Sequence, residues 1–239
     1  MKAPRVEEIF KSDSSLVYKI LYRYAYAHEI IPNIDNIIKE AICSLNGDFL
    51  VIKEGVFAHK SAKIAPSCEI VAPAIIDEGA EVRHCAYLRG NVLVGKRCVV
   101  GNSSEIKSSI LFDCVNVPHY NYVGNSVIGY GAHLGAGAII SNLKSDKSNV
   151  KIDTGSCVFL DENEKTDTPP AKIDTKCRKF GALVGDRAEI GCGSVLNPGT
   201  VIMPYATVYP LSSVRGTVPE SSIYKGKGNV VKKSFFNKE

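Results

Sequence analysis

From Ile64 onward an aliphatic residue stands at every sixth position: Ile64, Ile70, Ile76, Val82, Leu88, Val94, Val100 and Ile106. One residue is then dropped, and the beat resumes at Leu111, Val117 and Val123. A second five-residue step leads to Ile128, Leu134 and Ile140, and a third block runs Val184, Ile190, Leu196, Ile202, Val208 and Val214. Four places after most of these aliphatics comes a small or thin residue, as at Ala80, Ala86, Cys98, Ala132 and Ala188, and glycine often follows directly, as at Gly95, Gly101, Gly129 and Gly185. Neither the helical period of 3.6 nor the strand period of 2 accounts for this pattern.

A six-residue beat predicts a β-helix of hexapeptide repeats, in which a short strand and a turn make one flat face and three faces close a triangular coil. The aliphatic points into the prism and stacks on its equivalents about 4.8 Å above and below, while the small residue fits the corner. Twenty such aliphatics make a core, and a bore with room for one aliphatic per face agrees with a chain that has no Trp. The competing reading, a β-sandwich with accidental spacing, does not explain strict register over so many turns. Spacing alone does not set the hand of the coil.

Two segments stand outside the prism. Residues 1–48 read as a helical cap, with Leu16, Ile20, Leu21 and Tyr24, then Ile34, Ile37, Ile38 and Ile42, forming two amphipathic stretches separated by Ile31-Pro32. Asp13 or Ser14 and Asn33 or Asp35 are candidate caps, and the open lower end of the prism is the simplest surface for these helices to cover. The β-helix is expected over 49–224, with residues 143–183 thrown out from one corner as a hairpin and 225–239 as a basic, solvated tail containing Lys225, Lys227, Lys232, Lys233 and Lys238. Within the excursion Val150, Ile152 and the Cys157 to Phe159 stretch alternate, and a polar run follows from Asp161 to Pro170. An excursion this long is usually functional.

Composition narrows the class of protein. With 239 residues, 45% hydrophobic and 23% charged, the chain is an ordinary globular one. No apolar run reaches the roughly 18 residues of a membrane span. The first twenty residues carry Lys2, Arg5, Glu7, Glu8 and Lys11 where a secretory signal needs an apolar core, so a cytoplasmic location is expected. Eight scattered cysteines without a C-x-x-C pair suit a reducing compartment. A net charge of +4 suits anionic small molecules and falls short of a nucleic-acid-binding face.

Chemistry is expected where the beat breaks, because a uniform prism offers a smooth wall. Both five-residue steps fall between Ile106 and Ile128, around Val117-Pro-His-Tyr-Asn-Tyr-Val-Gly124. This block resembles the acetyltransferase domain of the bifunctional N-acetylglucosamine-1-phosphate uridylyltransferase/glucosamine-1-phosphate acetyltransferase, together with its relatives fused to sugar-1-phosphate nucleotidyltransferases. The family's H-x-x-Y-x-G stands as His119-Tyr-Asn-Tyr122-Val-Gly124, and its N-x-G-A-G-T-I-x-x-N as His133-Leu-Gly-Ala-Gly-Ala-Ile-Ile-Ser-Asn142. Lys179-Phe-Gly-Ala-Leu-Val-Gly-Asp186 and Val208-Tyr-Pro-Leu-Ser-Ser-Val-Arg-Gly216 look like the nucleotidyltransferase-associated relatives.

The resemblance covers roughly residues 56–224 and implies a left-handed coil, a homotrimer and acetyl-CoA as co-substrate, with no tightly bound cofactor and no metal. By it, His119 is the general base and Asn142 a substrate-orienting catalytic residue. Arg89, Lys107, Tyr122 and His133 are implied to bind substrate, and Ala136, Cys192 and Tyr209 or Pro210 to line the coenzyme slot. Arg89 and Lys107 are one coil apart, which places them to grip one sugar phosphate. An imidazole suits the base, since His exchanges its proton near neutrality.

There are departures from the family. His133 stands where the family has a sugar-binding Asn, Leu143 where it has Tyr, the excursion is far longer, and no L-x-G-G-x-G nucleotide loop is present. Three function classes therefore compete. The first is an acetyl-CoA-dependent N-acetyltransferase of an amino-sugar phosphate in UDP-N-acetylglucosamine metabolism, and the second a non-catalytic trimeric module for a separate nucleotidyltransferase. The third is a zinc hydratase sharing the prism, which needs three histidines across a seam; His84 and His119 have suitable spacing, but the third position holds Gly124.

Overall fold

The computed structural model describes residues 3–153 and 171–233. The Cys157 to Phe159 stretch, the run from Asp161 to Pro170 and Lys238 lie outside the described residues. The chain is a left-handed parallel β-helix of about eight turns. Its coils visit three faces in strict rotation. Face I stacks Val56–His59, Ala74–Ile76, Val92–Val94, Ser109–Leu111, Val127–Ile128, Ala182–Val184, Thr200–Ile202 and Thr217–Val218. Face II includes Glu81–Val82, Val99–Asn102, Asn116–His119, His133–Leu134, Glu189–Ile190 and Thr207–Val208, and face III includes Tyr87–Arg89, Glu105–Lys107, Tyr122–Gly124, Ile139–Ile140, Val195–Leu196 and Ser213–Val214.

The six-residue beat is the inward column of each face. All of its aliphatics except half-buried Ile64 are buried, and the ladders pair them in register, as Leu88 with Ile106 and Ile106 with Val123. Corners turn through residues in the left-handed region, singly at Ser103, Ser108, Tyr120 and Asn125 and as the pair Gly90 and Asn91. Glycine and short polar residues tolerate that region best.

The helical segment does not plug the lower end as expected. It lies along the flank of face I. The outward column of that face, Ile75, Leu93, Ile110, Val127, Leu183 and Val201, is fully buried, whereas the equivalent positions on face II are Glu81, Val99, Asn116, His133 and Glu189. A prism face with an apolar outer column must be covered, and the N-terminal segment covers it. Phe10 stacks on Phe112 at 5.2 Å, and helix Ile34–Cys43 packs its Ile34, Ile37, Ile38 and Ala41 side inward, against the strand Ala74–Ile76. The first amphipathic stretch is only one turn, Tyr18–Leu21, because so short a helix cannot hold itself without packing.

Each end of the coil finishes in an antiparallel hairpin, Phe49–Lys53 on Val56–His59 below and Ser222–Gly226 with Asn229–Lys232 above. Lys225, Lys227 and Lys232 thus belong to a hairpin rather than to a free tail. The excursion leaves after Ile139–Ile140 and returns before Ala182–Val184, at the edge between faces III and I. Its stem pairs Lys151–Asp153 with Lys172–Asp174 around the Ile152 and Ile173 pair. No helix among the described residues is long and apolar enough to cross a membrane.

The segment is latched by buried carboxylates on the edge between faces I and II. Asp186 accepts the Lys11 and Ser12 N–H groups at 2.7 and 2.9 Å and the Tyr130 N–H at 2.9 Å. Asp113 accepts the Lys96 N–H at 3.0 Å. Burial pushes the Asp113 carboxyl above its ordinary range, opposed by the Lys96 N–H and by Ser14 from the N-terminal segment.

Two outcomes follow from this packing. Phe10→Ala removes a fully buried ring from the seam and costs about 3–5 kcal/mol in chemical unfolding; a loss within 0.5 kcal/mol contradicts the covering role. A raised folded carboxyl means the native state holds its proton more tightly than the unfolded chain, so stability falls as pH rises from the ordinary carboxylate range through the raised value. Asp113→Asn is therefore more stable than wild type at pH 7, and that gain shrinks on acidification toward the ordinary range, as read by urea melts at both pH values.

Candidate active site

His119 ends the face II strand Asn116–His119 at the edge between faces II and III, and its side chain is exposed. The strand can reach that edge because Gly101 lies beneath it: a Cβ there would come within 1.6 Å of the Pro118 carbonyl oxygen. From the corner beyond, buried Asn121 holds His119 by its backbone. The Asn121 Oδ1 accepts the His119 N–H at 3.0 Å, while its Nδ2 donates to the carbonyls of Gly135 and Ala138 at 2.8 and 3.3 Å.

The edge carries a vertical row. Gly137 N–H bonds the His119 carbonyl, Gly193 N–H that of Ala136, and Leu211 N–H that of Cys192, at 3.0, 2.8 and 2.9 Å. His119, Ala136 and Cys192 therefore stack, one above the next. Cys192 is exposed, and so are Tyr120, Tyr209 and Leu211 beside the row. Tyr209 sits beyond the top of it, with the Lys225 ammonium 5.7 Å from its ring centre. Below His119 the row continues through Asn102 to His84, whose carbonyl accepts from Asn102 Nδ2 at 3.0 Å, so the two histidines are roughly 10 Å apart.

The basic residues occupy the opposite edge of face III. Arg89 and Lys107 directly follow the paired Leu88 and Ile106, and Lys107 pairs with Gly124 in the next coil. Arg89 donates to Glu105 at 2.5 Å. Gly124 forms a floor: a Cβ there would lie 2.7 Å from both the Tyr122 hydroxyl and the Asn142 Nδ2, so these two groups converge over it. Burial raises the Tyr122 phenol, helped by Glu105 and opposed by Arg89 and Asn142, which keeps it a neutral O–H donor. The Lys107 ammonium is lowered by burial and then by its neighbours Lys179 and Arg89, with Glu105 opposing. These groups form a basic cradle.

Asn142 thus stands with the cradle, its Nδ2 2.6 Å from the Asn125 Oδ1, and not beside His119. His133 sits on face II between Asn116 and Glu189, away from the cradle. The shortened beats, expected to carve a pocket beside His119, lie one face away, at the cradle edge. There Ser108 and Asn125 each turn a corner alone, where the coil below uses the pair Gly90 and Asn91. Asn121 and Gly124 escaped the functional reading, although Asn121 breaks the rule of a small residue four places after the aliphatic Val117.

A cavity of about 600 Å³ opens elsewhere, between the segment from Arg23 to Asn33 and Asp174 to Lys176.

A family model described as the GMPPB C-terminal domain matches residues 70–177. A bifunctional sugar-1-phosphate nucleotidylyltransferase/acetyltransferase of Sulfurisphaera tokodaii is 29% identical over 71% of this chain and 43% of its own length. The bifunctional protein GlmU of Methanococcus maripaludis is 31% identical over 67% of this chain and 39% of its own. Among solved structures, the polySia-specific acetyltransferase NeuO aligns with 11% identity and a TM-score of 0.46 over 76% of this chain and 82% of its own. The chain spans under half the length of these curated relatives.

Coil, beat and edge row define a left-handed hexapeptide-repeat β-helix. Within that class the chain carries a GlmU-like domain, of the kind found with sugar-1-phosphate nucleotidyltransferases.

Gly101→Ala tests the construction of the His119 edge. The added methyl forces the Asn116–His119 strand off its neighbour, so thermal stability drops and His119 moves; an unchanged melting temperature contradicts the close approach.

Proposed function

We propose that this domain is an acetyltransferase that moves an acetyl group from acetyl-CoA to the amine of an amino-sugar phosphate, glucosamine 1-phosphate-like, in UDP-N-acetylglucosamine metabolism in the cytoplasm. The observation that carries the reading is the pairing of two features across one narrow face. An exposed imidazole is fixed by its backbone at one edge, and a cradle of Arg89, Lys107, Tyr122 and Asn142 lies at the other. A strand of three residues separates them, roughly 10 Å. Less a contact of roughly 3 Å at each end, that span leaves about 4 Å between the ligand's nucleophile and its anionic group, as on adjacent carbons of a sugar ring.

In this reading His119 takes a proton from the ammonium of the acceptor. The freed amine nitrogen attacks the thioester carbonyl carbon, an N–C bond forms, the attacking nitrogen gives up its second proton to solvent water, and the C–S bond breaks as the carbonyl reforms. The thiolate leaves as coenzyme A after taking the proton from the imidazolium, so His119 returns to its starting state. The cradle orients the acceptor by its phosphate and does no proton chemistry. The row above His119, Ala136 and Cys192 with Tyr209 beyond, is a flat track of glycines and small residues along which a pantetheine arm can lie.

A single prism leaves this track open to water. The exposed Tyr120, Tyr209 and Leu211 beside it suit burial against a second copy, which supports a homotrimer with sites between neighbouring prisms.

A thiol-release assay with acetyl-CoA and a panel of amino-sugar phosphates tests the reading. His119→Ala lowers turnover by about 10²–10⁴-fold while the trimer persists in light scattering. Equal turnover in wild type and variant, or no turnover with any acceptor, overturns it.

A further inference from the structure

We propose that the lowest strand of the prism, Phe49–Lys53, is a self-association edge, on which a second copy of this chain pairs antiparallel, lower end to lower end. The inference is independent of the acetyl-transfer reading and uses none of its residues.

The strand closes the lower edge of the face I sheet, and its one strand neighbour is Val56–His59. The register sets Leu50 opposite Ala58, which stacks under Ile76 in the inward column, and Val51 opposite half-buried Phe57 on the outer side. Directly opposed residues share a side of the sheet, so Leu50 lies under the mouth of the prism and Val51 outside it. Leu50, Val51 and Ile52 are 55%, 64% and 48% exposed. Apolar side chains on both sides of a strand suit the interior of a sheet, and here they stand on its edge, in the uncharged run Phe49-Leu-Val-Ile52.

The other ends of the three face sheets are blunted in the ways that keep edges apart. Lys63–Ile64, Ser213–Val214 and Thr217–Val218 are two residues long. Glu69–Val71 carries a carboxylate, and the upper strand Asn229–Lys232 ends on Lys232, with Lys225 and Lys227 in the same hairpin. The lower strand alone among these ends presents a longer apolar stretch without a charge inside it.

Its flanks say how a second copy sits. Asp48, just before the strand, is paired with Lys60 at 2.6 Å, and Lys53, at its finish, with Glu69 at 3.1 Å, while Glu54 lies in the turn beyond. A copy laid antiparallel brings Asp48 toward the Lys53 of the other and Lys60 toward the other's Glu69, at both ends of the contact. A parallel copy would set Asp48 on Asp48 and Lys53 on Lys53. The contact is therefore two-fold, and the lysines of the upper hairpin keep it from propagating, so two prisms close head to head and no filament forms. With three prisms to a particle, as proposed above, two particles join into six chains.

Sedimentation equilibrium of the full chain at micromolar concentration reads the assembly. Wild type holds an even number of chains, and Val51→Lys holds half that number. Leu50→Glu halves it from the other side of the strand, whereas Val231→Lys, at the upper end, leaves the wild-type mass. Both lower-end positions are exposed, so the thermal transition of each variant at high dilution matches that of wild type. If wild type holds an odd number of chains, or if Val51→Lys and Leu50→Glu keep its mass, the edge is no self-interface and the inference is overturned, while the reading of His119 and the cradle is untouched. A halved particle of one chain instead of three supports the edge and rejects the trimer.

Discussion

The inward stack of aliphatics constrains everything else in this molecule. Each coil must return its Leu88, Ile106 and Val123 to the same vertical line, because buried methyl groups pack at organic-crystal density and a slipped rung would leave a void on one side and a clash on the other. Once that column is in register, outward positions repeat as well. A residue type placed on one edge meets its counterparts from neighbouring coils roughly 4.8 Å away, whatever their distance in sequence. Arg89 and Lys107, or His119, Ala136 and Cys192, become neighbours by this rule alone.

The same rule explains how the three faces acquired different fates. Face II presents charged and polar side chains to solvent, and its last strand position carries His119. Face I presents Ile75, Leu93, Ile110, Val127, Leu183 and Val201, which water would penalise by roughly 1.5–3 kcal/mol for each side chain. The N-terminal segment relieves that exposure and is tied down by Asp186 at its Lys11 and Ser12 amides. With face I covered, face III and its two edges stay open, and no helix among the described residues intervenes there.

The repeat and the prism were legible from the sequence because the period is long, strict and unlike helix or strand. The direction in which the N-terminal segment folds was not read, yet its signal was there. The residue before each face I aliphatic is itself apolar, a second period of 17 or 18 residues hidden within the first. Among site residues, Ala136 was implied by the resemblance alone, although the count also stacks it on His119, one shortened coil earlier. The separation of Asn142 from His119 did not follow, because residue count says which coil a side chain joins but not which edge its corner turns toward. The position of Lys179 near Lys107 was out of reach for another reason. It returns to the prism through an excursion whose length breaks the count, and only the Leu143 bridge and the Phe180 hydrogen bond bring it back to Asn142.

The shortened corners and the excursion share a cause. At Ser108 and Asn125 one residue turns the corner where Gly90 and Asn91 need two, so the edge between faces III and I is pulled tight for two successive coils. Tightening draws the end of the Glu105–Lys107 strand and Gly124 together, and Gly124, lacking a Cβ, lets the Tyr122 hydroxyl and the Asn142 amide close over the same point. In the next coil the chain leaves the prism at this same edge, and it can do so without breaking the stack because the corner, not a face, is interrupted. Burial lowers the Lys107 ammonium first, and repulsion from Lys179 and Arg89 adds to it, which the Glu105 carboxylate offsets only in part. An edge built in this way is at its least favourable when empty, and an anion seated on it removes the repulsion that its own assembly creates.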